Sequence, residues 1–387
     1  AKDKVPFKIF DKKNAEKLFG KNLNISASQL EKFNLCRFSY FCNYGLNVRE
    51  RQKAEINPMQ YGTIVHYILE RFFGEYTKEE YLSLEEDKFQ KIVCAYLAEY
   101  AVKYFGEEQL ESNSFTYRLK TILDNVMYLM KHIMEELSQS EFFVADCELK
   151  IGEDIPSYTI VLPDGHKIAV CGSVDRVDIM QRADITYLRI IDYKTGTKQF
   201  KLSDILYGIN LQMLLYLHSI EASGGDKYGE IVPAGILYMP ATVPYISSDS
   251  LKSIDKLPDE LNKKLKMNGL LLKDTEIIHG MDKTDVATYI PVKIKAGEPV
   301  SSTSLATLAE FGKIFKKVDM LIAEMGKNIY NGNIEAKPLK GGHDSCEYCP
   351  YDSVCAYRQS NPITCFSVDN KTVIEEITNE INGKEEE

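Results

Sequence analysis

Apolar residues recur at helical spacing through the first third of the chain. The period then shortens to an alternating one, and after residue 240 it becomes mixed. Residues 1–24 carry no sustained pattern and read as a linker or arm. A helix starts at SASQLEKFN (26–34), where Ser26 or Ser28 can accept from the first free backbone N–H groups. In MQYGTIVHYILERFF (59–73), Ile64, Val65, Ile68, Leu69, Phe72 and Phe73 share a helical face, and a tyrosine-rich helical pattern runs from Lys78 to about Phe143. Strand-like segments follow at 144–151, 158–162, 167–179 and 186–194, with a Pro-Asp-Gly turn at 163–165. A helix is expected over 203–221 and an apolar strand over 233–239. Residues 241–300 mix short segments with polar stretches and read as an insertion, and 304–332 form an amphipathic helix ending at Gly332.

The division that follows is an arm (1–24), a helical part (25–143), an α/β core (144–240), an insertion with its helix (241–330), a cysteine segment (331–365) and a charged tail (366–387) that frays at 381–387. No internal repeat is present.

Composition narrows the class. With 387 residues, 44% hydrophobic and 27% charged, the chain can bury a sizeable core. No window approaches 18 consecutive apolar residues, so no membrane span is expected. The N-terminus AKDKVPFKIFDKKN has no apolar signal-peptide core and lacks an initiator Met, which suggests a fragment cut from a longer cytoplasmic protein. In such a compartment nine cysteines stay reduced, which favours metal ligation or inert burial over disulfides. A net charge of −10 counts mildly against a nucleic-acid partner. Carboxylates that hold cations contribute to that charge, however, and a local basic groove is compatible with it.

The candidate chemistry begins at LRIIDYKTG (188–196). Leu188, Ile190, Asp192 and Lys194 share one face of a strand that meets a glycine turn. On the preceding strand Cys171, Ser173, Asp175, Val177 and Ile179 share a face, and a carboxylate there is costly to bury without a partner. If the two strands are hairpin neighbours, Asp175 and Asp192 converge on one cation with Lys194 beside them. The competing reading is a cross-strand salt bridge on a solvated face. Phosphodiester hydrolysis needs oxygen ligands for Mg²⁺ or Mn²⁺, an activated water and a cation near the attacked phosphate.

GSVDRVD, IDYKTG and the later LQMLLY together resemble the RecB-family nuclease domains of the PD-(D/E)XK superfamily. The resemblance implies a restriction-endonuclease-like α/β fold, a mixed β-sheet flanked by helices with the metal site at one end. It makes Asp175 and Asp192 metal ligands and Lys194 the catalytic lysine. His66 alone would read as a solvated or core histidine, but GTIVH (62–66) fits the family's upstream G-x-x-x-H stretch and makes it a metal ligand. Glu148 shares a face with Asp146 and Lys150, which looks solvated, yet the family often carries an acid there. Gln212 and Tyr216 lie one helical turn apart and match the Q-x-x-x-Y pair that lines such active sites, with a helix–sheet packing contact as the alternative.

Near the C-terminus, CEYCPYDSVC places Cys346, Cys349 and Cys355 in a C-x₂-C-x₅-C pattern. Three thiols so close read as metal ligands that want a fourth, from Cys365, Cys36 or Cys42. Spacing alone does not choose among these or between zinc and iron–sulfur. This arrangement, with SASQLEKFNLCRFSYFCNYGL upstream, resembles the AddB-type helicase–nuclease subunits over residues 26–360. That resemblance implies a [4Fe–4S] cluster on Cys36, Cys346, Cys349 and Cys355, a staple for the architecture more than a redox sensor. It also implies an AddA-type helicase–nuclease partner and a DNA exonuclease acting on single-stranded or duplex-end DNA in break processing and recombination. Cys94, Cys147 and Cys171 are expected to be buried, inert thiols. No G-x-x-x-x-G-K-[ST] occurs, so no ATP binding is expected. A free-standing four-cysteine CRISPR-associated nuclease and a catalytically spent DNA-end scaffold are the competing readings.

Overall fold

The structure, a computed structural model, describes residues 8–49, 58–106, 112–196, 198–244, 246, 257–301, 303–355, 357 and 362–385. The expected arm is partly built. Asp11 caps α1 (Lys12–Phe19), and β1 (Leu23–Ile25) buries Leu23 and Ile25; residues 1–7 lie outside the described residues. Ser26, not Ser28, caps α2 (Ala27–Leu35), because Gln29 three residues on completes a reciprocal capping box. Helices α3 (Arg37–Tyr40), α4 (Pro58–Glu75), α5 (Lys78–Leu82), α6 (Glu86–Phe105) and α7 (Asn113–Ser138) complete the helical part.

The strands β2 (Phe143–Ile151), β3 (Thr159–Val161), β4 (Lys167–Val170), β5 (Gly172–Arg182) and β6 (Ile185–Lys194) follow. The segment expected as one strand over 167–179 is two. Strand β4 joins β1 and β3 in a small sheet, while β5 enters the central one. Gly172 marks the break: a Cβ there would lie 2.2 Å from the Tyr216 hydroxyl oxygen, so only glycine permits the approach.

The helix expected over 203–221 is also interrupted. A 3₁₀ turn (Leu202–Tyr207) ends at Gly208 in left-handed conformation (φ 69°), whose carbonyl accepts from Asn34 Nδ2 at 3.0 Å, and α8 (Gln212–Ser223) starts afresh. The short α9 (Gly225–Tyr228) leads into β7 (Glu230–Pro240).

The stretch expected as an insertion supplies part of the sheet. After α10 (Leu257–Leu265) come β8 (Asn268–Leu272), α11 (Thr275–Met281), the antiparallel pair β9 (Lys293–Lys295) and β10 (Glu298–Val300), and β11 (Leu305–Ala306). The central sheet runs β11-β8-β7-β6-β5-β2, parallel at β6/β7 and β8/β11 and antiparallel elsewhere. Helix α12 (Leu308–Tyr330), the strands β12 (Leu339–Gly341) and β13 (Ile363–Cys365), and α13 (Asn370–Glu385) close the chain. The expected frayed tail is thus helical through residue 385, with Val373 and Ile377 fully buried.

Consecutive residues of β5 and β6 are buried, so both faces of the sheet are covered. On one face four charges sit fully out of water. Asp178 accepts from Arg176 (2.9 Å) and Arg189 (3.0 Å), and Glu136 of α7 accepts from both arginines (3.3 and 2.6 Å). Arg176 also donates to the Tyr193 hydroxyl at 3.2 Å and lies over the Phe73 ring of α4. This paired quartet clamps α7 to the central hairpin and fixes the strand ends where the candidate site lies.

Candidate active site

Strands β5 and β6 are antiparallel neighbours, with Arg176 opposite Ile191 and Val177 opposite Ile190. That register sets Asp175 and Asp192 across from each other on one face. The convergence expected from sequence is present, in a modified form. The tight ligand group is His66, Glu148 and Asp175, one atom of each lying within 4.8 Å of the others. Asp192 stands behind it, nearly fully buried, with its Oδ2 2.5 Å from Lys194 Nζ.

Each member is held by a second contact. The Tyr193 backbone N–H donates to Asp175 Oδ2 at 2.9 Å, and His66 Nε2 lies 3.6 Å from the same oxygen. The Glu148 carboxylate bonds His66 Nδ1 at 3.0 Å and accepts from the Ser173 hydroxyl at 2.9 Å. Glu148 has left-handed backbone (φ 50°) within β2, next to a register shift at Val144/Asp146. Its expected companions on a solvated face go elsewhere. Asp146 binds Lys227 and Tyr228, and Lys150 binds Glu153. Of the three, Glu148 alone joins the ligand group.

The electrostatics describe an excess of negative charge. Burial, then the neighbouring Asp192, pushes the Asp175 carboxyl up to about 7, against the pull of His66 and the Tyr193 N–H. Burial opposes charge on His66, but its bond to Glu148 and the Asp175 carboxylate outweigh it and raise the imidazole to about 8. Burial would lift Glu148 too, yet hydrogen bonds from His66 and Ser173 hold it below the usual carboxylate range. Two carboxylates and an imidazole around surplus negative charge fit a divalent cation with mixed O/N ligands. They open on a cleft of about 670 Å³ bounded by Gly62, Lys150, Tyr193, Lys194 and Gly196.

Tyr216 joins framework and site, since the Asp175 and Asp192 carboxylates both act on its hydroxyl. Its ring is packed against Gly172, and its hydroxyl meets the Ala27 backbone. Gln212 is half-buried in the first turn of α8, where Glu31 accepts from the Leu211 N–H at 2.7 Å and the Gln212 N–H at 3.4 Å.

The thiols sort themselves by packing. Cys36, Phe38, Cys42 and Tyr351 form a small buried cluster against which Cys349 and Cys355 pack. Burial raises the Cys36 and Cys355 thiols, and neighbouring thiolates add to it: Cys355 acts on Cys36, and Cys349 and Cys346 act on Cys355. The Tyr351 hydroxyl donates to the Val48 carbonyl at 2.7 Å, tying the two distant segments. Cys365 packs instead with Ile209 and Leu339, which removes it as a candidate fourth ligand. Cys42, the other upstream candidate, joins the group as a fifth thiol. Cys94, Cys147 and Cys171 are half-buried, less enclosed than expected; burial still pushes Cys147 up to about 12.

A profile of the PD-(D/E)XK nuclease superfamily matches residues 24–356, the span that carries the hairpin acids, the histidine helix and the cysteines. The chain belongs to this superfamily. Among curated proteins, the B subunit of the ATP-dependent helicase/deoxyribonuclease of Clostridium kluyveri is 35% identical across 98% of this chain and 34% of its own length. Those of Thermoanaerobacter sp. and Clostridium botulinum are 34% and 35% identical across 88% and 90% of this chain. The chain spans about a third of the length of these relatives.

The sequence did not announce the buried quartet. Its one signal is the second acid and the arginine of GSVDRVD, which parity places on the face away from Asp175.

Proposed function

We propose that this chain is a Mg²⁺- or Mn²⁺-dependent exonuclease domain that hydrolyses single-stranded DNA delivered by a helicase partner of AddA type, in the processing of broken DNA ends for recombination. The observation that carries the reading is the His66–Glu148–Asp175 group beside Asp192 and Lys194. His66, Glu148 and Asp175, with Asp192 behind them, would hold the cation. A bound divalent ion would supply Lewis acidity and a water of lowered pKa. Lys194, fixed against Asp192 at the rim of the cleft, places a positive charge where the attacked phosphate enters. Tyr193 and Ser173 orient the two acids, and Tyr216 holds the start of β5 in place.

The four-thiolate site on Cys36, Cys346, Cys349 and Cys355 is proposed to carry a [4Fe–4S] cluster, with Cys42 adjacent. The gathering of Cys36, Cys349 and Cys355, with Cys346 in electrostatic reach, supports a shared thiolate site. The names of the relatives support the partner and the substrate class.

Asp192→Ala should lower metal-dependent cleavage of labelled single-stranded DNA by at least about 100-fold with unchanged circular dichroism. Equal cleavage by both proteins would remove these catalytic assignments. Cleavage by neither, with DNA binding intact, would instead favour a scaffold whose nuclease site is spent.

A further inference from the structure

The nuclease cleft does not end at Lys194. Through Thr195 and Gly196 it adjoins a second cavity of about 760 Å³. That cavity shares Lys263 and Lys266 with a third, of about 960 Å³, framed by the end of α10, the residues flanking β8 and the β9–β10 pair. Five lysines line this last groove, namely Lys263, Lys266, Lys273, Lys293 and Lys295, against one acid, Glu310. The whole chain has the opposite balance, 57 acidic residues to 47 basic.

The acids nearby are already engaged. Glu310 accepts from the Thr307 N–H and hydroxyl in a capping box, Glu260 pairs with Lys263, and Glu298 accepts from the Thr275 hydroxyl. Lys266 is fixed at the groove wall by the Ala287 and Val292 carbonyls (2.6 and 3.1 Å). Lys273, Lys293 and Lys295 are exposed. The groove also has apolar surface from exposed Val300 and half-buried Pro291 and Leu305.

We propose that this lysine-lined groove is a track for single-stranded DNA leading to the nuclease cleft. Lysines take the phosphates, and the apolar surface accepts unpaired bases, whose faces only a single strand exposes. A duplex would use the charges and leave the apolar surface idle. This assigns a task to the residue 257–310 segment. It deepens the nuclease reading, which supplies the polymer class.

The test is anisotropy of labelled oligo(dT)₃₀ with the full chain in EDTA, comparing wild type with Lys273→Glu/Lys293→Glu/Lys295→Glu. Affinity should fall about tenfold or more at low salt, and the slope of log affinity against log salt should shrink by about two, since each single-strand phosphate contact contributes about 0.7. The exposed set Lys88→Glu/Lys91→Glu/Lys120→Glu, with the same charge change on α6 and α7, should alter neither. Unchanged binding by the first triple, equal loss in the second, or a preference for a DNA hairpin or a glutamate decamer over oligo(dT) overturns the track. Binding is read without metal, so a wild type that binds through these lysines but never cuts would sink the nuclease reading and leave the groove standing.

Discussion

Glu148 and Gly172 are the two residues at which backbone conformation and chemistry meet. A non-glycine residue at φ 50° inside a strand stores roughly 1–3 kcal/mol, and the bonds to His66 and Ser173 hold it there. Replacing Glu148 by Gln keeps the shape but removes a charge, so metal affinity read by calorimetry should weaken at least about tenfold, by analogy with other ligand-shell losses. Gly172→Ala drives a methyl group into Tyr216. Its cost in urea unfolding should be about 2–3 kcal/mol, in the range of overpacking. Much of that should disappear in the Tyr216→Ala background, and simple additivity would show that the clash is not the cause.

At the scale of elements, charge pairs join helices to sheet and to one another. The Glu136–Arg176–Asp178–Arg189 quartet is fully buried, so breaking it leaves unpaired charge without water. Glu136→Gln should destabilise the chain by about 3–5 kcal/mol in urea unfolding. A loss near zero would mean that α7 is held by apolar packing alone. Between α8 and α12, His218 lies 3.0 Å from Asp319, stacks on Phe315 and sits 3.6 Å from Glu221. Burial works against its charge, but the bonds to Asp319 and Glu221 prevail and raise it from 6.5 to about 9. The folded state therefore binds the proton more tightly than the unfolded chain. That stabilisation is complete below pH 6.5 and is lost as pH rises through about 9. The melting temperature of wild type should fall relative to His218→Gln across that window, and parallel curves would refute the pair's role.

For the whole molecule, the proposed cluster would tie two distant parts of the chain. Cys36 and Cys346 are 310 positions apart, and tying such ends would contribute about 5–6 kcal/mol in the chain-entropy treatment. Cys349→Ser should yield colourless protein with lost iron and sulfide and a melting temperature lower by several degrees. Zinc in the wild type instead of iron would remove the cluster.

Much of this was legible in the chain itself. The parity of Asp175 and Asp192, the helical phase of His66 and the cysteine spacing are local properties, fixed by periods of 2.0 and 3.6 residues and by short loops. What the tertiary structure alone decided depends on approaches between distant residues. Glu148 was turned inward by His66, 82 positions away, and Cys365 was set apart by its packing against Ile209. Gly208 broke a helical pattern because Asn34 caps it. Sheet pairing drew residues 268–272 and 305–306 into the core. Periodicity records which face a side chain takes, but not which partner waits there. That choice belongs to long-range packing, where burial makes an unpaired polar group too costly to keep.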